Sequence, residues 1–281
     1  MSSLTPPTLQ YTDPSALPVK SNKTYYVYNP STGSKITSET YTLPTLYDNT
    51  GLPKTIIGTD DRIPETNSGL DGVINVQYSN NSNCGTSFVI DSHTLLTAAH
   101  VLKNNSSSAV SGLKFKIFNG SSTPSSQTVT PVRYHIPSEY MNYGSSSYDY
   151  AIVTVEEDLE DYINFDLGVA RPNIETATNK TVYVTGFGGN GANVNPSNVD
   201  IKTTGSGSLV SVSWASEHRL YYNVDTINGD SGSPLYVINS DTSKTVIGIH
   251  TDGYTSCNSA IRITPDILCF VYNNSNLSAG F

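Results

Sequence analysis

The chain has 281 residues, of which only 14% are charged, and a formal net charge of −9. That balance offers no basic surface to nucleic acid, and no apolar run approaches the length needed to span a bilayer. The length suffices for one large β domain or for two lobes with separate cores.

The opening stretch, Met1 to Gln10, lacks the basic and apolar regions of a signal peptide. Residues 1–54 carry recurrent proline (Pro6, Pro7, Pro14, Pro44, Pro53) and no sustained periodicity, which suits a pro-segment or N-terminal arm better than a core. From Val73 onward short β-branched runs alternate with Gly, Asn, Ser and Pro punctuation. Strands are expected at 73–78, 86–90, 94–98, 113–118, 127–134 and 150–155. A second set is expected at 181–186, 206–213, 219–224, 234–238, 245–250 and 260–263. The two groups, joined across roughly 156–178, predict an all-β chain folded as two antiparallel barrels. After Pro265, the run Ile267 to Tyr272 reads equally as a terminal helix or a last strand. Cys257 and Cys269 are spaced to close a small loop in an oxidising compartment, leaving Cys84 over; three free, buried thiols are the other reading.

Three short runs carry the chemistry. Thr226-Ile227-Asn228-Gly229-Asp230-Ser231-Gly232-Ser233-Pro234 sets a serine between glycines, ahead of an apolar strand. Glycines there permit a sharp turn, on which the N–H groups of Gly229 and Ser231 point at one spot beside the serine hydroxyl. Upstream, Thr94-Leu95-Leu96-Thr97-Ala98-Ala99-His100 ends an apolar strand in a histidine, and Tyr148-Asp149-Tyr150-Ala151-Ile152 leads an aspartate into a strand. A serine hydroxyl is a poor nucleophile without a base, and the base needs an orienting group. Histidine, aspartate and serine in this order supply all three: Ser231 as nucleophile, His100 as base, Asp149 as orienter.

Other signals fail on context. Gly186-Phe187-Gly188-Gly189-Asn190-Gly191 fits a dinucleotide-binding pattern, but Ala192 to Pro196 cannot open the helix it requires. Neither histidines nor cysteines show zinc spacing, so no metal and no cofactor is expected.

Those three runs, together with Ile57 to Arg62, the stretch from Asn83-Cys84-Gly85 through His100, Tyr134 to Pro137, Val182 to Gly186, Tyr222 to Thr226 and Ile249 to Gly253, resemble the chymotrypsin-fold serine proteases. The closer likeness is to the bacterial glutamyl endopeptidases, over about residues 55–272. The resemblance implies two antiparallel six-stranded β-barrels, the first at about 70–160 and the second at about 178–270, with the active site in the cleft between them. It implies a protease domain at 55–281, with residues 1–54 in the place of that family's pro-segment. It further implies a secreted, monomeric endopeptidase acting on protein or peptide substrates, with Gly229 and Ser231 as oxyanion hole. Thr226 and His250 fall where the family holds a glutamate side chain before the scissile bond.

Two departures complicate that likeness. Asp230 precedes the nucleophile where the glutamyl enzymes usually carry an uncharged amide. In trypsin-like enzymes an aspartate there pairs with the ammonium freed by activation cleavage, and Lys54-Thr55-Ile56-Ile57-Gly58 offers cleavage points near Lys54–Ile56. The new ammonium would meet either Asp230 or the substrate carboxylate. Asp252, beside the expected pocket, adds a negative charge that opposes acidic substrates. The alternatives are therefore a protease without glutamyl preference, and a catalytically silent or toxin-like binding protein on the same scaffold. The cysteine that pairs with Cys84 in related enzymes is replaced by Val101.

Overall fold

The computed structural model of the chain describes residues 21–43, 61–65, 68–118, 126–170, 174, 181–188, 201–212 and 215–275. Its strands are, in chain order, β1 (Ser21–Tyr28), β2 (Lys35–Leu43), β3 (Ile63–Pro64), β4 (Val73–Gln77), β5 (Asn83–Asp91) and β6 (Thr94–Thr97). They continue with β7 (Lys114–Phe118), β8 (Ser126–Val129), β9 (Pro131–Pro137), β10 (Ala151–Val155), β11 (Asp166–Leu167) and β12 (Thr181–Gly186). The last are β13 (Thr203–Ser208), β14 (Arg219–Tyr222), β15 (Pro234–Ile238), β16 (Lys244–Tyr254) and β17 (Cys257–Arg262). Helices are short, namely α1 (Ala99–Leu102), α2 (Ser138–Tyr143) and α3 (Pro265–Asn274).

The strands form two sheets. The first has the order β2-β1-β9-β10-β6-β5-β4-β7-β8. Strands β8 and β9 are consecutive in the chain, parted only by Thr130, and β8 pairs with β7 while β9 pairs with β10. A single bent stretch thus brings the sheet back on itself with six strand positions round the ring. The second sheet has the order β14-β17-β16-β15-β12-β13-β3, with β11 lying parallel to β16. Here a bridge between Leu209 and Tyr222 joins the end of β13 to β14, so this ring also has six members. Strand β3 takes the part of the β13 edge that β14 leaves unpaired, through Thr203–Pro64 and Thr204–Ile63.

The packing follows from the residue pattern. All five residues of β4 are buried, as are all four of β6, because each lies between ring neighbours and a filled interior. One hydrophobic cluster fills the first barrel and takes in α3, while a second, around Val182, Leu220, Val224 and Leu235, fills the other. The ambiguous run after Pro265 is a helix. Thr264 caps it by accepting from the Ile267 N–H at 3.4 Å, Pro265 supplies the first-turn φ, and Phe270 reaches across to Tyr150 and Tyr25.

Residues 21–43 hold more order than their composition implied. Strands β1 and β2 form a hairpin, β1 pairs with β9 through Tyr25–Pro137 to Tyr28–Tyr134, and Tyr25, Val27 and Tyr28 are buried in the first core. The remainder of the expected 1–54 segment, and the cleavage points near Lys54–Ile56, lie outside the described residues. No disulfide joins any two of Cys84, Cys257 and Cys269, so the loop closure open to Cys257 and Cys269 is not made.

Candidate active site

Two consecutive turns build the serine loop. Asp230 donates its N–H to the Ile227 carbonyl at 3.0 Å, and Ser233 donates to the Asp230 carbonyl at 2.9 Å. Gly229 and Gly232 occupy the third position of the two turns with φ of +108° and +87°. A four-residue turn of this kind needs positive φ at that place, which only glycine adopts without strain. Space adds a second demand, since a Cβ on Gly232 would stand 2.1 Å from the Thr86 carbonyl oxygen. The sequence Gly-Asp-Ser-Gly is therefore two turns that share Asp230, with Ser231 at the crest and the N–H groups of Gly229 and Ser231 on either side of Asp230.

His100 and Asp149 arrive from the other barrel. Strand β6 runs through Ala98 into the single turn of α1, and the buried Ala98 and Ala99 leave room for His100 to face the cleft with its side chain 32% exposed. Asp149 sits between a 3-10 turn, Ser146–Tyr148, and β10. One carboxylate oxygen accepts the His100 backbone N–H at 2.8 Å, and the other accepts Nδ1–H at 2.8 Å. Because an ionised carboxylate only accepts, the ring proton stays on Nδ1 and the Nε2 lone pair faces the Ser231 hydroxyl, with which it makes a short hydrogen bond. Burial pushes the Asp149 carboxyl upward. His100, through charge and two hydrogen bonds, and the more distant Arg219 outweigh that and hold it below the usual carboxylate range.

Thr226 and His250 are buried beside the serine loop, and the two backbones are linked by Gly232 N–H donating to the His250 carbonyl at 2.8 Å. The Thr226 hydroxyl is buried without a hydrogen-bond partner among the described residues. His250 Nδ1 makes a short hydrogen bond with the Tyr222 hydroxyl and lies 3.1 Å from the Ser259 carbonyl. Asp252 is not a bare charge: Arg219 Nη1 stands 2.8 Å from its carboxylate, and Arg219 Nη2 also donates to the Ser146 carbonyl at 3.1 Å. Its charge opposes an acidic substrate less than the sequence implied.

Three side chains that the sequence did not single out for the site hold it together. The Thr86 hydroxyl donates to the Gly229 carbonyl at 2.8 Å and accepts from the Phe187 N–H at 3.0 Å, while its backbone N–H donates to the Ser231 carbonyl at 2.7 Å. Arg219 fastens the turn that carries Asp149, and Tyr222 fixes His250. Thr86 and Tyr222 lie in stretches that carry the resemblance without a role assigned to them there, and Arg219 lies in none. Gly186 of the dinucleotide-like pattern also finds its cause, since a Cβ there would lie 2.1 Å from Ser233 Oγ and 2.6 Å from Asp230 Oδ1, while Gly189 and Gly191 lie outside the described residues.

The arrangement can activate a hydroxyl and place two N–H groups beside it, as acyl transfer requires. The Trypsin family profile matches residues 63–274. Two bacterial proteins are similar in sequence. An extracellular metalloprotease of Bacillus subtilis (strain 168) is 28% identical over 233 residues, 79% of this chain and 69% of that one. A glutamyl endopeptidase of Bacillus licheniformis is 27% identical over 237 residues, 79% of this chain and 70% of that one. The fold is similar to that of a solved Glu endopeptidase in complex with MPD, at a TM-score of 0.60 and 22% identity, covering 78% of this chain and 99% of the other. With these, the two rings are the barrels of the chymotrypsin-like fold, and the cleft between them is where Ser231, His100 and Asp149 meet. Among the described residues no group of three or more His, Cys, Asp and Glu side chains is arranged to hold a metal ion.

Proposed function

The chain belongs to the trypsin family, whose members are serine proteases, and on that premise we propose a secreted, monomeric endopeptidase that cuts proteins or peptides after glutamate and, less readily, after aspartate. Ser231 Oγ attacks the scissile carbonyl carbon as His100 Nε2 takes its proton, and Asp149 stabilises the imidazolium that results. The oxyanion accepts from the N–H groups of Gly229 and Ser231. Collapse breaks the C–N bond, the leaving amine takes the proton from His100, and an acyl-enzyme remains. Water, deprotonated by the same imidazole, attacks the acyl carbon and frees the new carboxylic acid and the Ser231 hydroxyl.

The observation that carries this reading is the unbroken hydrogen-bonded line from Asp149 through His100 to Ser231, drawn from both barrels. Support for the glutamyl preference is narrower. It rests on the buried Thr226 hydroxyl, unpartnered among the described residues, and on the buried His250 beside it, an imidazole whose N–H suits a substrate carboxylate. The name of the Bacillus licheniformis relative agrees with it. Secretion is supported by the extracellular name of the other relative. Among the described residues no helix is long and apolar enough to cross a membrane. The reading includes synthesis as a precursor cut near Lys54–Ile56.

Matched peptides differing only in Glu or Gln before the scissile bond test it. The wild-type protein should favour Glu by about 100-fold in kcat/KM, and His250→Ala should reduce that preference to within about tenfold. Ser231→Ala should lower kcat by a factor on the order of 10⁶. Equal cleavage of the two peptides would sink the glutamyl preference. Full activity of Ser231→Ala, purified free of wild type, would sink the mechanism. A Ser231 that never reacts with a phosphonylating probe would bring the silent binding scaffold forward.

A further inference from the structure

Asp230 lies at the junction of the two turns, and its carboxylate is 3% exposed. A buried carboxylate survives as an ion only with a counter-charge and with hydrogen bonds to its remaining lone pairs. Here Oδ1 accepts the Gly188 N–H at 2.7 Å, and Oδ2 accepts the Ile227 N–H at 2.9 Å. The counter-charge is Arg62, whose Nη1 stands 3.1 Å from Oδ2 and 3.4 Å from the Gly188 carbonyl, with the arginine side chain 2% exposed.

Arg62 is not a chain end. The N–H of Asp61 donates to Asp225 Oδ2 at 3.2 Å, β3 follows at once and pairs with β13, and the Glu65 N–H donates to the Lys202 carbonyl at 2.8 Å. These bonds lay the segment across the second barrel and send the guanidinium inward. The backbone at Gly188 packs against the pair so closely that a Cβ there would stand 2.2 Å from Asp230 Oδ2 and 2.6 Å from Arg62 Nη1. The counter-ion that trypsin-like enzymes gain by cutting the chain is, in this protein, already part of it.

We propose that Arg62 is the positioning residue of the oxyanion turn, and that the Gly229 and Ser231 N–H groups are set in place while the N-terminal chain is still attached. Cleavage near Lys54–Ile56 then has no part in forming the turn, and the ammonium it frees is left for a substrate carboxylate. A guanidinium also keeps its charge at every pH at which the protein is folded, whereas an α-ammonium deprotonates near pH 8. The catalytic half of the proposal rests on the acyl-transfer reading; the structural half does not.

The test uses the full chain, with the uncut state verified by intact mass, and two readouts: phosphonylation of Ser231 and amide hydrogen exchange over 226–233. Uncut wild type should protect the amides of Ile227, Asp230 and Ser233 and should label, with no loss of labelling between about pH 8 and 10. Arg62→Gln should exchange at least about tenfold faster over 226–233 and label about 100-fold more slowly, the scale of a lost oxyanion donor, while β12 and β15 keep wild-type exchange as the internal check of folding. Arg62→Lys, which restores the charge, should recover most of both. Unchanged exchange in Arg62→Gln, or protection and labelling that appear only after cleavage, would overturn the proposal. Protection that follows Arg62 in a protein that never labels would uphold the positioning role and remove the acyl-transfer reading instead.

Discussion

Thr86 carries more of the site than its place in β5 announces. One hydroxyl serves as donor to the Gly229 carbonyl and acceptor from the Phe187 N–H, and the Thr97 hydroxyl donates to its carbonyl at 2.6 Å. Thr86→Val keeps the shape, removes both hydroxyl bonds and leaves two buried backbone groups short of a partner, at about 2 kcal/mol of stability. The expected kinetic outcome is a fall in kcat of about tenfold or more with KM little changed, because the Gly229 peptide is free to rotate away from the oxyanion. Thr86→Ser should restore both quantities, and a Thr86→Val enzyme with wild-type kcat would show that the turn needs no support from the first barrel. At this scale the sequence revealed what is local. Gly229 and Gly232 betray the turns by themselves, and Ser231, His100 and Asp149 sit in short runs of recognisable order. Thr86 and Arg62 act on the turn from 143 and 168 residues away, and no window along the chain brings them near it.

Among the elements, the hairpin β1–β2 departs furthest from expectation. Its alternation is present, with Tyr25 and Val27 inward and Thr24 and Tyr26 half-buried, but it is short and lies in a segment punctuated by proline. Periodicity over so few residues does not separate a strand from an extended arm. What makes it a strand is the edge of β9 opposite β10, a partner more than 100 residues further along the chain. The sequence expects β8 and β9 as one strand at 127–134; the break at Thr130 that closes the ring is a property of the barrel rather than of the local sequence. Tyr25→Ala measures how far the hairpin belongs to the core. Tyr25 is 3% exposed and meets Phe270 edge-on at 5.6 Å, so its truncation should cost about 3 kcal/mol in denaturant unfolding at unchanged m. A cost below about 0.5 kcal/mol would make it a peripheral arm. If the precursor is cut near Lys54–Ile56, a hairpin seated this deeply should stay with the protease domain through gel filtration.

At the scale of the molecule, the first barrel carries a pH liability in a histidine outside the catalytic line. His135 on β9 lies 7% exposed between the Tyr25 ring and β10, with Nε2 3.1 Å from Thr154 Oγ1. Burial, the largest influence, and Arg133 lower its pKa to about 4 against the pull of Glu39 and Asn274 in the other direction. The folded chain therefore keeps His135 neutral where the unfolded chain, with its histidine near 6.5, binds a proton. Stability from this residue is fully present above pH 6.5 and is lost as pH falls towards 4, up to about 3 kcal/mol in all. Asp149 adds its own loss lower down. Its carboxyl is held below the ordinary 3.8, so the stability it contributes is present above that value and fades only beneath it. The losses from these two groups thus come in two stages, the first from His135 while Asp149 remains ionised. Asp266, whose carboxyl burial raises to about 6, offsets part of the first because it binds its proton more readily in the folded chain. His135→Gln, which keeps a partner for Thr154 and cannot titrate, should flatten the first stage and leave the second. Denaturant unfolding of the two proteins from pH 7 to pH 3 decides it: parallel curves would place the acid sensitivity elsewhere, and a difference that shifts in favour of the Gln variant between pH 6.5 and 4 would assign it to His135.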